Sequence, residues 1–282
     1  MTSLRASLRA MPAFRDATPQ DLPRAAALSA RIGWNQLPAD WRVFLDQGAV
    51  RVLDDGDAAC LAASAATLPC GADLAWISMV LVRPDRRREG LATQLMRWAI
   101  DHAARPCLML DATPAGREVY RRLGFEDVFG FARWSLPKAL QSGAATRPME
   151  EADWDWVLAL DRAAFGAPRP ALLRGFARRL PQAALVTPDR SGFVLARDGL
   201  RAPQIGPVVA RDEGQALSLL AAARAALGTS AVIDLADSAT TIAASIAAAG
   251  GESLRPFTRM ARGRVPSAKP EQNFVFAGPE FG

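Results

Sequence analysis

The sequence predicts an α/β fold, α and β elements around a mixed sheet, built twice in tandem. Three observations predict it. Leu74 to Val82 is a run without a charge or a turn former, the pattern of a strand buried on both faces. A basic, glycine-containing turn and a helix with one apolar stripe follow it directly. A similar order of elements then begins again after a small, polar stretch, and 282 residues suit two domains of about 140 each.

Taken in order, residues 1–13 carry arginines without a continuous apolar core or a cleavage site and read as a frayed N-terminus. From Phe14 the pattern is a short strand, an Asp/Pro turn and a helix over Leu22 to Arg31. Trp34-Asn35-Gln36-Leu37-Pro38-Ala39-Asp40-Trp41 places two indoles and two amides on a loop. Such a loop supplies apolar walls and orienting groups to a ligand; two tryptophans plugging the core is the plainer alternative. Helix resumes to Gln47. Val50 to Leu53 and Ala58 to Thr67 form a hairpin closed at Asp54-Asp55-Gly56-Asp57, and Leu74 to Val82 follows.

The joint after that strand reads Arg86-Arg87-Arg88-Glu89-Gly90-Leu91-Ala92. Glycine lets the backbone approach a ligand, and the free amides and positive dipole of a helix entry attract an anion. Three arginines alongside point to a phosphorylated ligand; a basic surface turn is the alternative. Leu91, Leu95, Trp98, Ala99 and His102 recur at helical spacing, which places His102 on the buried stripe as a core or hydrogen-bonding residue. Cys107 to Leu110 is a short buried strand; Asp111 and Glu118 follow near the expected cleft, with Asp111 equally readable as a turn former. Thr113 as N-cap with Pro114 at the first helical position opens a helix over Ala115 to Leu123, ended by Gly124. Phe125 to Trp134 completes the sheet.

Pro137 to Thr146 has the composition of a linker. Beyond it, helices are expected over Trp154 to Phe165 and Arg169 to Leu180, and strands over Ala183 to Val186 and Gly192 to Ala196. Gln204 to Ala210 repeats the opening strand and Gln215 to Leu227 its helix. Ala231 to Leu235, a helix to Ala249 and Pro256 to Arg262 finish the order.

Composition narrows the chemistry. All but two of the 34 basic residues are arginines, spread along the chain without interleaved aromatics, so the net charge of +5 does not mark a nucleic-acid surface. One histidine and three cysteines without CxxC spacing leave no set for a zinc site or for Ser-His or Cys-His catalysis, and no metal is expected. No apolar run reaches the roughly 18 residues of a membrane span. No Gly-Lys-Ser/Thr loop and no GxGxxG occur. A cytoplasmic protein without membrane or nucleic-acid partners is the expectation.

Val82-x-Pro84-x-x-Arg87-x-x-Gly90-x-Ala92 after an apolar strand resembles the cofactor motif of the GNAT N-acetyltransferases, R/Q-x-x-G-x-G/A. The element order resembles that fold, and Tyr120-x-x-x-Gly124-Phe125 resembles its late Tyr-x-x-x-Gly-Phe. With the repeat in the second half, the chain resembles the tandem GNAT acetyltransferases of bacteria. The resemblance implies two GNAT-like domains, 14–137 and 147–282, joined by a linker at 138–146. Each would be a mostly antiparallel sheet splayed around an acyl-CoA cleft.

It also implies acetyl-CoA as co-substrate, with the amides from Arg88 through Glu89, Gly90, Leu91 and Ala92 to Thr93 on its pyrophosphate and Arg87 and Arg88 adding charge. Edge groups of Val80, Leu81 and Val82 would line the pantetheine arm, and Val80 could meet the oxyanion. Tyr120, the only tyrosine, matches the family's general acid, whereas packing between helix and sheet is the alternative for its ring. Trp34, Asn35, Gln36 and Trp41 are the candidate acceptor contacts. No carboxylate follows Asp73 in the strand, so the base is left unassigned, with a water relay expected.

In the second half, Arg211-Asp212-Glu213-Gly214-Gln215-Ala216 reads R-x-x-G-x-A but follows Val209 too closely and carries two acids where the pyrophosphate would sit. That domain is expected not to catalyse; completing a pocket, bracing the first domain or binding through Gly206-Pro207 stay open. The implied function is direct, ternary-complex transfer of an acetyl or short acyl group to the primary amine of a small molecule, by a monomer or homodimer. A non-catalytic acyl-CoA sensor is the alternative.

Overall fold

The computed structural model describes residues 13–137, 140, 143 and 145–282. The expected frayed N-terminus, up to residue 12, and five positions of the linker (138, 139, 141, 142 and 144) lie outside the described residues.

The strands are β1 (Ala13–Asp16), β2 (Ala49–Asp54), β3 (Ala63–Cys70), β4 (Leu74–Val82), β5 (Cys107–Ala112), β6 (Glu126–Leu136), β7 (Arg147–Pro148), β8 (Leu185–Val186), β9 (Phe193–Arg197), β10 (Gln204–Val209), β11 (Ala231–Ala236), β12 (Ser253–Gly263) and β13 (Asn273–Phe276). The α-helices are α1 (Leu22–Ile32), α2 (Pro38–Gln47), α3 (Leu91–Ala103), α4 (Pro114–Arg121), α5 (Trp154–Phe165), α6 (Pro170–Arg179), α7 (Glu213–Leu227) and α8 (Thr240–Ala248).

Two compact units emerge. One holds the described residues up to Thr67 with Met79–His102; the other holds Leu68–Ser78 with Ala103–Gly282. In the first unit the strands follow the order β1-β2-β3-β4, and β1-β2 and β2-β3 are antiparallel. Leu91 and Leu95 of α3 pack with Leu53, Ala63 and Ala65, and Val80, Val82 and Trp98 lean on that cluster. His102 departs from expectation: it is exposed and stacks on Trp98 with ring centroids 5.1 Å apart. The buried stripe of α3 runs through Leu91, Leu95, Ala99 and Ala103, and His102 lies beside it.

In the second unit β4 and β5 pair in parallel only over Leu74 to Trp76 and Cys107 to Met109. Beyond Ile77 and Leu110 no ladder bond joins them among the described residues. Phe125 to Trp134 was expected to complete the first sheet, yet β6 is not the neighbour of β5. β12, from the far end of the chain, lies between them, antiparallel to both, with Arg259 opposite Asp111 and Phe257 opposite Phe131. β6 in turn pairs with β11, Ala231 opposite Leu136 through Ala236 opposite Phe131. The two halves therefore interleave their last strands, which is why β5, α4 and β6 cluster with the second half.

The second half repeats the splay. β10 and β11 pair in parallel only at Gln204-Val232 and Ile205-Ile233. There β13, which the periodicity did not suggest, wedges between them, antiparallel to β10 at Val208-Val275 and to β11 at Asp234-Phe276 and Leu235-Val275. Gly206 makes room for it: a Cβ at that position would come within 2.0 Å of the Phe276 carbonyl oxygen. A core of Ile205, Val208, Leu219, Leu220, Ile233 and Phe276 lies beneath.

Candidate functional site

The turn from β4 into α3 is held by its acids and by two of its arginines. Arg83, 7% exposed, donates to Asp55, Asp57 and Asp85, and Arg86 bridges Asp55 (2.8 Å) and Glu89 (2.9 Å). Burial pushes the Asp55 carboxyl up, but bonds from Arg83 and Arg86 outweigh it and hold the group below its usual range. The Glu89 side chain is spent in this scaffold. Arg87 and Arg88 are exposed and make no ion pair among the described residues.

Arg88 (φ 68°) and Gly90 (φ 75°) both sit in the left-handed region. Within the described residues the amides from Arg88 to Thr93 donate to no acceptor; the first helix-side bond is Gln94 N–H to Gly90 O at 3.1 Å. A Cβ at Gly90 would meet nothing within 4 Å, so the space above it is open. Leu91 is 8% exposed and anchors the helix entry from below. Ala92 and Thr93 are half-buried beside it. A helix entry with free amides is positive, and the exposed guanidinium groups of Arg87 and Arg88 add to that charge.

β4 is irregular just before the turn. Met79 has φ 53°, a left-handed value for a residue without glycine's freedom, and its carbonyl accepts a bond from the Ser64 hydroxyl at 2.8 Å. Val80 and Val82 are half-buried and Leu81 is 2% exposed. The kink falls just before Val80, where the unbroken burial of β4 ends.

The loop at Trp34 is less open than its composition suggests. Trp34 is half-buried, whereas Asn35 and Gln36 are 5% and 2% exposed. Trp41 belongs to α2 rather than to the loop. It is 1% exposed, and its indole N–H donates to Ser29 Oγ at 2.9 Å. The plainer alternative holds for Trp41: an indole with its one donor satisfied fills the core and presents no surface to a ligand.

In the second unit Thr113 caps α4, accepting from Gly116 N–H at 3.3 Å. Tyr120 lies over Gly116 and meets Phe125 edge-on, centroids 6.4 Å apart. Its hydroxyl makes no hydrogen bond among the described residues, and burial pushes the phenol up to about 12. Asp111 is not a turn former. It stands in β5, its side chain fully buried, and accepts two bonds of 2.9 Å from Arg259. Burial outweighs that pairing and pushes its carboxyl up to about 6. Arg259 packs its guanidinium over Phe276 (4.4 Å) and Trp76 (4.7 Å). Local spacing could not reveal this pair, because its members are 148 positions apart.

The corresponding turn of the second half is closed. Asp212 caps α7 by accepting from Gln215 N–H at 2.8 Å, and Gln215 Oε1 accepts from Arg211 N–H at 3.1 Å. Gln215 also donates to Ser191 Oγ, and Glu213 accepts from Ile242 N–H at 3.0 Å. The acids read from the sequence as hostile to pyrophosphate thus satisfy the helix entry themselves. No helix among the described residues is long and apolar enough to cross a membrane.

Comparison with known proteins agrees with this architecture. Two models of the acetyltransferase (GNAT) domain match, one over residues 45–127 and another over residues 157–276. Comparison with curated protein sequences gives no match. Among solved structures, a presumed acetyltransferase from Pyrococcus horikoshii is 20% identical, with a TM-score of 0.82 and 96% of each chain covered. A tandem GNAT protein from the clavulanic acid biosynthesis pathway is 18% identical, with a TM-score of 0.61 over 89% of this chain and 98% of that one. A GCN5-related N-acetyltransferase from Sphaerobacter thermophilus is 16% identical at a TM-score of 0.60, over 91% and 98%. With a family domain matched in each half, and the second visibly degenerate, the chain belongs to the GNAT acetyltransferases as a tandem member and is an acyl-CoA-dependent enzyme of that family.

Proposed function

We propose that the chain transfers an acetyl or short acyl group from acyl-CoA directly to the primary amine of a small molecule, with the first half, residues 14–137, as the catalytic domain. The observation that carries this reading is the contrast between the two turns. Among the described residues the amides of Arg88 to Thr93 have no acceptor and the flanking Arg87 and Arg88 make no ion pair, whereas Asp212 and Gln215 accept from amides of the other turn. Pyrophosphate fits the first and is repelled by the second. The pantetheine arm adds along Val80, Leu81 and Val82 like a strand, and the Val80 amide serves the oxyanion. In the second half the equivalent slot between β10 and β11 already holds β13.

The amine attacks the thioester carbonyl, the C–S bond breaks, and the thiolate leaves with the electron pair. Tyr120 hydrogen-bonds or protonates the sulfur, and the surplus proton of the amine leaves through water. Trp34 offers an apolar wall, with Asn35, Gln36 and Trp41 as its support beneath. The test is thiol release from acetyl-CoA against amino acids, polyamines, aminoglycosides and aromatic amines. Release with one class supports the reading. Silence with a thermal shift by acetyl-CoA favours a sensor, and silence without a shift removes the pyrophosphate assignment.

A further inference from the structure

The second unit contains, wholly within itself, a cavity of about 340 Å³. That is at the small end for ligand sites, which run from roughly 300 to 1,000 Å³. Met109 of β5, Phe129 of β6, Phe165 of α5 and Phe276 of β13 form its walls. Val128 (43% exposed) and Val265 (46%) also line it, so the cavity reaches the surface between apolar rims. Three phenyl rings around so small a space suit a flat, ring-sized occupant, because aromatic groups pack by offset stacking and edge contacts.

Two buried polar groups set what that occupant must carry. Arg259, 3% exposed, gives Nε and Nη2 to Asp111, and its Nη1 has no acceptor among the described residues. Its guanidinium lies 4.4 Å from the ring centroid of Phe276 and 5.1 Å from that of Phe129, against two of the walls. Asn273, 2% exposed, makes no side-chain hydrogen bond among the described residues, and its oxygen is a buried acceptor without a donor. Such an orphan is costly and calls for a partner. The wall thus offers a donor to a carbonyl and an acceptor to an N–H, but no net charge. No carboxylate lines the cavity, and Asp111 already neutralises Arg259. An ammonium would meet no counter-ion, and a carboxylate would compete with Asp111 for one guanidinium.

We propose that this cavity is a binding site for a neutral aromatic carboxamide, with its ring among Phe129, Phe165 and Phe276, its oxygen accepting from Arg259 and its N–H donating to Asn273. Such a ligand has no nucleophilic amine and is not the acyl acceptor. The inference concerns the second unit alone and is independent of the transferase reading. The lining joins β5 and β6 to β12, β13 and α5, so the site exists only where the late strands have interleaved.

The test is an NMR titration of the full chain labelled at its methionine methyl groups, with the Met109 signal assigned by Met109→Leu. Benzamide, benzoate and benzamidine are the probes, since they share a shape and differ in charge. Benzamide is expected to move the Met109 methyl with a Kd of roughly 1 mM or tighter. Its Kd should lie at least about tenfold below those of the anion and the cation. Asn273→Leu, nearly isosteric and relieved of the orphan oxygen, should keep its Tm and weaken benzamide about tenfold. A Met109 methyl that stays in place at about 10 mM benzamide overturns the cavity as a ligand site. Benzoate or benzamidine binding as tightly as benzamide overturns the carboxamide assignment, and this comparison on the wild type decides whether or not the variant folds. An unchanged benzamide Kd in a folded Asn273→Leu overturns it as well.

Discussion

Replacing Tyr120 by phenylalanine isolates one hydroxyl. The ring contacts with Gly116 and Phe125 survive the change, and the hydroxyl has no partner among the described residues to lose. Folding stability should therefore stay within about 0.5 kcal/mol. The catalytic cost follows from the phenol itself. Burial pushes it up to about 12, whereas a departing thiol titrates near roughly 8.5. Complete proton transfer is then uphill by roughly 3.5 units, about 5 kcal/mol. Tyr120 is better placed to give a strong hydrogen bond to the sulfur as the C–S bond breaks, with water delivering the final proton.

A hydrogen bond to a charged group is worth about 1.5–3 kcal/mol, so kcat should fall roughly 10- to 150-fold. That sits at the low end of, or below, the roughly 10²–10⁴-fold range of general acids. Thiol release gives kcat and the KM for acetyl-CoA, and a melt gives Tm. The KM should move less than about twofold, and wild-type kcat should show no phenol-dependent fall up to about pH 10. Parallel loss of acetyl-CoA binding and turnover, or an unchanged kcat, refutes the assignment.

Calorimetric titration with CoA should give one site per chain, since β13 occupies the second slot; two equivalent sites would refute that reading. Arg87→Ala with Arg88→Ala should raise the KM for acetyl-CoA about 3- to 10-fold at low salt, at up to about 1 kcal/mol for each exposed charge, and flatten its salt dependence. An unchanged KM would remove both from the pyrophosphate. Gly206→Ala drives a Cβ into the Phe276 carbonyl and should cost about 3 kcal/mol or more, read as a lower urea midpoint; an unmoved midpoint would deny β13 its seat. Acid should loosen the first unit. Bonds from Arg15 lower the Asp21 carboxyl from 3.8 to about 2, so its contribution is complete above pH 4 and is lost as pH falls toward 2. At about 1.36 kcal/mol per unit, discounted because Arg15 is 37% exposed, this is about 1–2 kcal/mol. Asp21→Asn should have a flatter Tm between pH 6 and 3; an identical acid profile refutes it.

Much of this fold was legible because its signals are local. Leu74 to Val82 is a strand to the residue, Trp154 to Phe165 a helix to the residue, and the turn at Gly90 shows its glycine and its charges in sequence. What stayed hidden depends on distance along the chain. Periodicity cannot say that β12 enters between β5 and β6, since an apolar strand reads alike beside either neighbour. β13 is only Asn273 to Phe276, too short to announce itself, and the Asp111-Arg259 pair joins residues that share no motif. His102 was misread for the opposite reason: the stripe is real, but it continues from Ala99 to Ala103 and leaves His102 at its edge with Trp98. At Trp41 composition pointed to a ligand while burial assigns the ring to the core.

The interleaved strands bear on why a half with a sealed turn and a filled slot keeps its fold. Without β12, β5 would present an open edge beyond its short ladder with β4, and Asp111 would be buried with no counter-ion. Removing one partner from such a pair costs far more than the pair contributes, so Arg259 and the strand that carries it are held in place by the first half's own carboxylate. β13 acts in the same sense, filling the splay of β10 and β11 with backbone bonds and lending Phe276 to the stack around Arg259. A half whose own turn is sealed can still be indispensable when its strand β12 completes the sheet between β5 and β6. On that view, substitutions at the sealed turn, such as Asp212→Asn, should alter stability and leave turnover per folded molecule unchanged.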